Sequence, residues 1–238
     1  ENDMKYEDAV AYIEECNSLG SVPGLTSIDS LTKALGRPQD SLKFIHVAGT
    51  NGKGSVSAFI ATALREAKLK VGRYVSPTIF TYRERFLIND RMISKRELGE
   101  LMEILKNACD MLTAEGNPHP TSFEIETALA FLYFQKKECD IVVLETGMGG
   151  ALDATNIIGA PLLCILTSIS MDHMQFLGDT IEAITLQKCG IIKEGTTVVS
   201  TKQDKSAADV IENFCKRKNA ELLVADCSKA SKVRAVLS

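Results

Sequence analysis

No apolar run in this sequence approaches the ~18 residues that cross a bilayer as a helix. The longest candidate, Ala160 to Ile169, is short and is interrupted by Pro161 and Thr167. The first residues, Glu1-Asn2-Asp3-Met4-Lys5, are acidic and polar, unlike a secretory signal. Paired cysteines are also missing. The seven cysteines (Cys16, Cys109, Cys139, Cys164, Cys189, Cys215 and Cys227) are odd in number and never spaced C-x-x-C, and there are only 3 histidines. This argues against a disulfide framework or a zinc cluster and fits reduced, mostly buried thiols in a cytoplasmic protein. An excess of positive charge is lacking too. Lys plus Arg number 27 against 31 Asp plus Glu, a formal net charge of −4. A mildly acidic chain has no basic footprint for sequence-independent nucleic-acid binding.

What is present is a chain of 238 residues, 45% hydrophobic and 24% charged, ordinary for a folded globular protein. Its apolar spacing predicts helices over Tyr6 to Cys16, Ile28 to Leu35, Ser55 to Lys68, Lys95 to Leu112, Ser122 to Lys136, Thr180 to Gly190 and Ala207 to Lys218. Short β-branched runs predict strands at Phe44 to Ala48, Val71 to Val75, Asp140 to Glu145, Leu162 to Thr167, Thr196 to Ser200 and Glu221 to Val224. Thr121-Ser122-Phe123-Glu124 has the spacing of a capping box. Strands alternating with helices imply one α/β domain: a mostly parallel sheet with helices on both faces.

The stretch Gly49-Thr50-Asn51-Gly52-Lys53-Gly54-Ser55 joins a predicted strand to a predicted helix. Such a turn aims backbone N–H groups and a helix N-terminus at an anion. Lys53 can neutralise the β- and γ-phosphates of a nucleotide, and Ser55 offers a hydroxyl to Mg²⁺. The spelling departs from the general phosphate loop. Its first glycine is closer, and Gly54 separates Lys53 from the hydroxyl residue. Glu145 closes a strand at the sheet edge where ligands gather, and can bind Mg²⁺, orient a water or simply cap a loop. By residue type alone, His173 reads equally as a polar side chain, Lys188 as a surface lysine, Phe123 as core and Thr121 as an N-cap.

Several of these stretches, in the same order, resemble the folylpolyglutamate synthase/dihydrofolate synthase family, a branch of the Mur ligase superfamily of ATP-dependent amide-forming ligases. The phosphate loop is one. Ser76-Pro77 with Arg83-Glu84-Arg85-Phe86 is similar to the family's S-P-H-L…E-R, and Thr121 to Glu124 to its T-x-F-E. Leu144 to Gly150 followed by Leu152 to Asn156 resembles L-E-V-G-L-G-G-R-L-D-A-T-N. Asp172-His173 with Leu177-Gly178 resembles D-H…L-G, and Lys188 to Lys193 resembles K-x-G-I-x-K.

The resemblance implies the P-loop NTPase-like central domain of a Mur ligase. It implies ATP and two Mg²⁺ ions, with Ser55, Glu145, His173 and a carbamylated Lys188 as metal ligands. Lys53, Glu145, His173 and Lys188 would form the catalytic set. Pro77, Arg85, Thr121, Phe123 and Asp153 would take the substrate, with Phe123 stacking on a pterin and Asp153 accepting from its ring N–H groups. The expected reaction joins L-glutamate to folate or dihydropteroate through an acyl phosphate.

Three positions depart from the family pattern: Thr78 stands for His, Ala151 for Arg and Gln187 for Glu. The family's second α/β domain, which completes the ATP site and binds glutamate, has no counterpart motifs here. Residues 1–238 are therefore expected to be the N-terminal ATP-binding domain alone, a cytoplasmic monomer with no nucleic-acid or membrane partner. Three other readings stay open. One is a Mur-type ligase acting on a cell-wall precursor. A second is a nucleotide-binding fragment without turnover. The third is a guanine-nucleotide switch, since Thr201-Lys202-Gln203-Asp204 spells T-K-x-D.

Overall fold

The computed structural model describes residues 4–17, 24–171 and 177–226. Its strands are β1 (Phe44–Ala48), β2 (Val71–Tyr74), β3 (Phe86–Ile88), β4 (Arg91–Met92), β5 (Ile141–Glu145), β6 (Leu163–Leu166), β7 (Thr197–Thr201) and β8 (Glu221–Ala225). They form one sheet in the order β4-β3-β2-β5-β1-β6-β7-β8. β2 to β8 across β5, β1, β6 and β7 are parallel, and β3 and β4 are antiparallel. The helices are α1 (Tyr6–Cys16), α2 (Thr26–Ala34), α3 (Lys53–Glu66), α4 (Lys95–Ala114), α5 (Ser122–Lys136), α6 (Ile181–Cys189) and α7 (Lys205–Arg217). Among the described residues no helix is long and apolar enough to cross a membrane.

Side-chain alternation along β1 divides the core. Phe44 and Ala48 point to one face, where α1, α2, α4 and α5 pack over one half and α6 and α7 over the other. Ile45 and Val47 point to the opposite face, which α3 covers with Val56, Ile60, Ala61 and Leu64. Helices do lie on both faces, as the alternation predicts, but unevenly. Six share one face and α3 alone packs on the other among the described residues. Helix α5 sits deepest: Ile125, Leu129, Phe131 and Phe134 are fully buried, each worth ~1.5–3 kcal/mol of apolar burial. It starts on the predicted capping box, with Thr121 Oγ1 accepting from Glu124 N and Glu124 Oε2 accepting from Thr121 N.

Two differences from the sequence expectation matter. Strands β3 and β4 make a hairpin that periodicity does not reveal, because three and two residues are too few to show alternation. Its turn is Asn89-Asp90, both with positive φ, the backbone of a tight two-residue hairpin. Helix α3 begins at Lys53 rather than Ser55. Lys53, Gly54 and Ser55 thus form its first turn, whose N–H groups have no intrahelical acceptor.

Candidate active site

β1 is the sheet's switch point. From it the chain crosses through α3 to β2 on one side, while β6, β7 and β8 build the other side. The crevice beyond the carboxyl end of such a strand is where open α/β sheets bind ligands. The loop from Gly49 to Gly52 lies there, and Gly52 enters α3 in the left-handed region (φ 85°). Gly49, at φ 150°, is pressed on the loop after β6: a Cβ there would lie 1.8 Å from Thr167 Oγ1. The same loop clamps the turn from the side. Thr50 N donates to Ser168 O (2.8 Å), Thr50 Oγ1 to Ser170 O (3.1 Å), and Ser168 Oγ to Asn51 O (3.3 Å). Thr167, Ser168 and Ser170 carry no sequence signal for this role.

Three of the four residues of the expected catalytic set converge on this loop. Lys53 Nζ donates to Gly49 O (3.1 Å) and Thr50 O (3.4 Å), folded back over the turn. Lys188, on α6, is not the surface lysine its residue type suggests. It is 2% exposed and donates to Gly49 O at 3.0 Å. Glu145 ends β5 beside β1, buried, with Oε2 3.7 Å from where a Cβ on Gly54 would stand. That oxygen is buried and has no hydrogen-bond partner. Burial pushes the Glu145 carboxyl up to about 7, against the lowering effect of Lys53 and Arg73. Ser55 is exposed one residue beyond Gly54. His173 lies outside the described residues. Among those described, no cluster of three or more His, Cys, Asp or Glu side chains is poised to hold a metal.

The expected substrate residues divide into two groups. Phe123 and the 147–153 loop meet: a Cβ on Gly147 would stand 2.5 Å from Phe123 Cζ, and the ring packs 6.2 Å from Tyr74, partly exposed. Thr121 and Asp153 are near but already engaged. The Thr121 hydroxyl caps α5. The Asp153 carboxylate accepts from Met148 N (2.8 Å), Thr155 N (3.0 Å) and Thr155 Oγ1, and its burial raises its pKa. Pro77 and Arg85 stand on the β2–β3 connection. Arg85 pairs with buried Glu126 (3.3 Å) and lines a cavity of about 430 Å³ with Thr78, Phe80 and Tyr82. The lining of that cavity does not include Thr121, Phe123 or Asp153.

The 147–153 loop is fastened to α6 as well. Ala151 N donates to Gln187 O (2.8 Å), and Asn156 Nδ2 bridges Ala151 O and Gly190 O. In the T-K-x-D stretch, Gln203 is consumed internally, donating to Thr167 O (2.8 Å) and accepting from Ile169 N (3.1 Å). His46 and Thr155, which sequence reading does not single out, form a buried hydrogen bond of 2.9 Å under this loop. The only signal available for His46 is an ionisable ring in an otherwise apolar strand.

Residues 47–236 match the family described as Mur ligase middle domain. The chain is 43% identical over 213 residues to the dihydrofolate synthase/folylpolyglutamate synthase of Bacillus subtilis (strain 168), covering 89% of this chain and 49% of that protein. It is 39% identical over 209 residues to the folylpolyglutamate synthase of Lacticaseibacillus casei, covering 87% and 49%. A solved FPGS–AMPPCP–folate complex superposes with a TM-score of 0.89 at 36% identity, over 94% of this chain and 55% of that one. The chain spans about half the length of the curated relatives it matches.

Proposed function

Since the chain belongs to the Mur ligase family, in its folylpolyglutamate synthase/dihydrofolate synthase branch, we propose that it supplies the ATP- and pterin-binding half of a ligase joining L-glutamate to folate or dihydropteroate. The observation that carries this reading is the phosphate loop beneath a buried carboxylate oxygen without a partner, Glu145 Oε2, at the start of α3. The relatives are about twice as long as the matched region, and the family resemblance implies that glutamate is held by the part of them this chain does not match. By itself the chain would then bind ATP and the pterin substrate but catalyse little glutamate addition.

Lys53 is placed to exchange the Gly49 and Thr50 carbonyls for β- and γ-phosphate oxygens, and the free N–H groups of the first turn of α3 hold the phosphates. The substrate carboxylate attacks the γ-phosphorus in line and ADP departs. The glutamate amine then attacks the acyl carbon, releasing inorganic phosphate. Activation is needed because a carboxylate is a poor acyl donor at neutral pH, and positioning supplies much of the barrier reduction. Phe123 offers the pterin a ring face beside Gly147.

The family implies Mg²⁺, and an acid raised to about 7 with an unpartnered buried oxygen fits a cation that would replace its proton. Ser55, Glu145, His173 and Lys188 as its carbamate would hold two ions. Bound there, Mg²⁺ neutralises charge on the transferring phosphoryl group. CO₂ addition to Lys188 would give a carbamate beside Gly49, detectable by native mass spectrometry.

The experiment titrates dihydropteroate, tetrahydrofolate and a UDP-muramoyl precursor into the AMPPCP-loaded chain by calorimetry. Binding of a pterin carboxylate and not the muramoyl compound supports the reading. The reverse result overturns it in favour of a cell-wall ligase.

A further inference from the structure

His46 sits in the middle of β1, three residues before Gly49, and is completely buried. Its Nε2 is 2.9 Å from Thr155 Oγ1, and Thr155 is itself fully buried. The Thr155 hydroxyl has one proton, and it faces the Asp153 carboxylate, which also accepts from Thr155 N. A hydroxyl that donates to Asp153 must accept from His46, so Nε2 carries the ring proton. This leaves Nδ1 as a bare lone pair, and Nδ1 is indeed the ring atom without a partner. The opposite tautomer would bury an orphaned N–H, which folded proteins avoid more strictly than an unused lone pair. Asp153 in turn accepts from the Met148 N–H group. An unbroken relay therefore runs from the strand that launches the phosphate loop to the glycine-rich loop that follows Glu145.

We infer that His46 is a positioning residue: through Thr155 it fixes the Asp153 carboxylate, and with it the conformation of the 147–153 loop against Phe123. The inference deepens the pterin-site reading and rests on it for the identity of the ligand, but not for the relay itself. Without the His46 donor, the buried Thr155 oxygen has an unsatisfied lone pair and nothing fixes its rotamer, so its charge-assisted bond to Asp153 is weakened. The loop would then sample conformations in which Met148 N–H is released. β1 keeps its ladder to β5 and β6, since those bonds are made by the backbone. The phosphate loop is anchored separately, through Thr50, Ser168 and Lys188. Loss of the relay should therefore disturb one ligand and spare the other.

The test compares His46→Leu, which removes the donor, with His46→Gln, whose amide can offer an N–H at similar reach, and with Thr155→Val, which cuts the relay from its other end. Amide exchange at Met148 should quicken by about tenfold or more in His46→Leu and Thr155→Val. His46→Gln should restore it to within about threefold, while exchange at Val143 in β5 stays unchanged. Dihydropteroate affinity should fall by roughly tenfold or more in the first two variants and AMPPCP affinity by less than about threefold. Met148 exchange that matches wild type in either cut variant overturns the inference. So does equal loss at Met148 and Val143, which marks general destabilisation. If wild type binds no pterin carboxylate, the functional reading fails, and Met148 exchange still decides the relay.

Discussion

Lys188 on α6 donates from its buried Nζ to the carbonyl of Gly49, 3.0 Å away across 139 residues of sequence. The contact fastens the last turn of α6 to the phosphate loop. Lys188→Met should therefore destabilise the fold by about 0.5–1.5 kcal/mol, because the buried Gly49 carbonyl loses one of its two lysine donors and keeps only Lys53. Urea unfolding of the variant and wild type reads the difference. The same variant should bind AMPPCP more weakly, whereas a lysine with no part in the site would leave that affinity unchanged.

Gly49 meets Thr167 with no room for a side chain, and its φ of 150° suits glycine. Gly49→Ala should cost on the order of 3 kcal/mol from overpacking and backbone strain. Adding Thr167→Ala should recover part of the loss by removing the atom that clashes. Equal stability of the single and double variants would show that strain, not the close approach, is the constraint.

Arg85 and Glu126 are a mostly buried pair at 3.3 Å. Removing only the guanidinium, as in Arg85→Leu, leaves a carboxylate facing a desolvated site and should cost about 3–5 kcal/mol. Arg85→Leu with Glu126→Leu should be markedly more stable than Arg85→Leu alone. Were Arg85 solely a substrate contact, neither change would alter the denaturation midpoint.

Burial holds His46 neutral, its pKa lowered to about 3 from the ordinary 6.5, with Lys193 as a secondary cause. The unfolded chain protonates near 6.5 while the folded chain does not, so the unfolded state binds more protons between those values. Stability therefore falls as pH drops through about 6.5 towards 3, by ~3 kcal/mol near pH 4.5. His46→Gln should remove this part of the acid loss and flatten the stability profile over that window. Parallel profiles for wild type and variant would show that His46 is already protonated in the fold.

Much of this was readable from residue order. β1 and β5 announce themselves as short apolar runs, and α5 by Thr121 and Glu124 at capping-box spacing. The turn from Gly49 to Gly52 is legible because its glycines and Lys53 fall between a strand and a helix. Burial and hydrogen-bond saturation are not legible in the same way, since they are set by neighbours far along the chain. Lys188 reads as a surface lysine until α6 packs it on Gly49. Asp153 reads as an open acceptor, yet Met148 and Thr155 already occupy it. Arg85 reads as a substrate ligand, yet it first neutralises Glu126. The β3–β4 hairpin was hidden by its length, although Asn89-Asp90 is a turn signal.

If the loop from Gly49 to Ser55 cradles the phosphates of a nucleotide, Lys53 carries much of the affinity. Calorimetric titration of AMPPCP with Mg²⁺ into wild type, Lys53→Ala and Glu145→Gln tests it most directly. Saturable one-to-one binding by wild type is expected, weakened about 30-fold or more in Lys53→Ala by loss of a charge-assisted contact. Glu145→Gln should retain nucleotide binding but lose most of its dependence on Mg²⁺. Wild type and Lys53→Ala binding equally well, or neither binding at all, would mean that the loop holds no nucleotide phosphate.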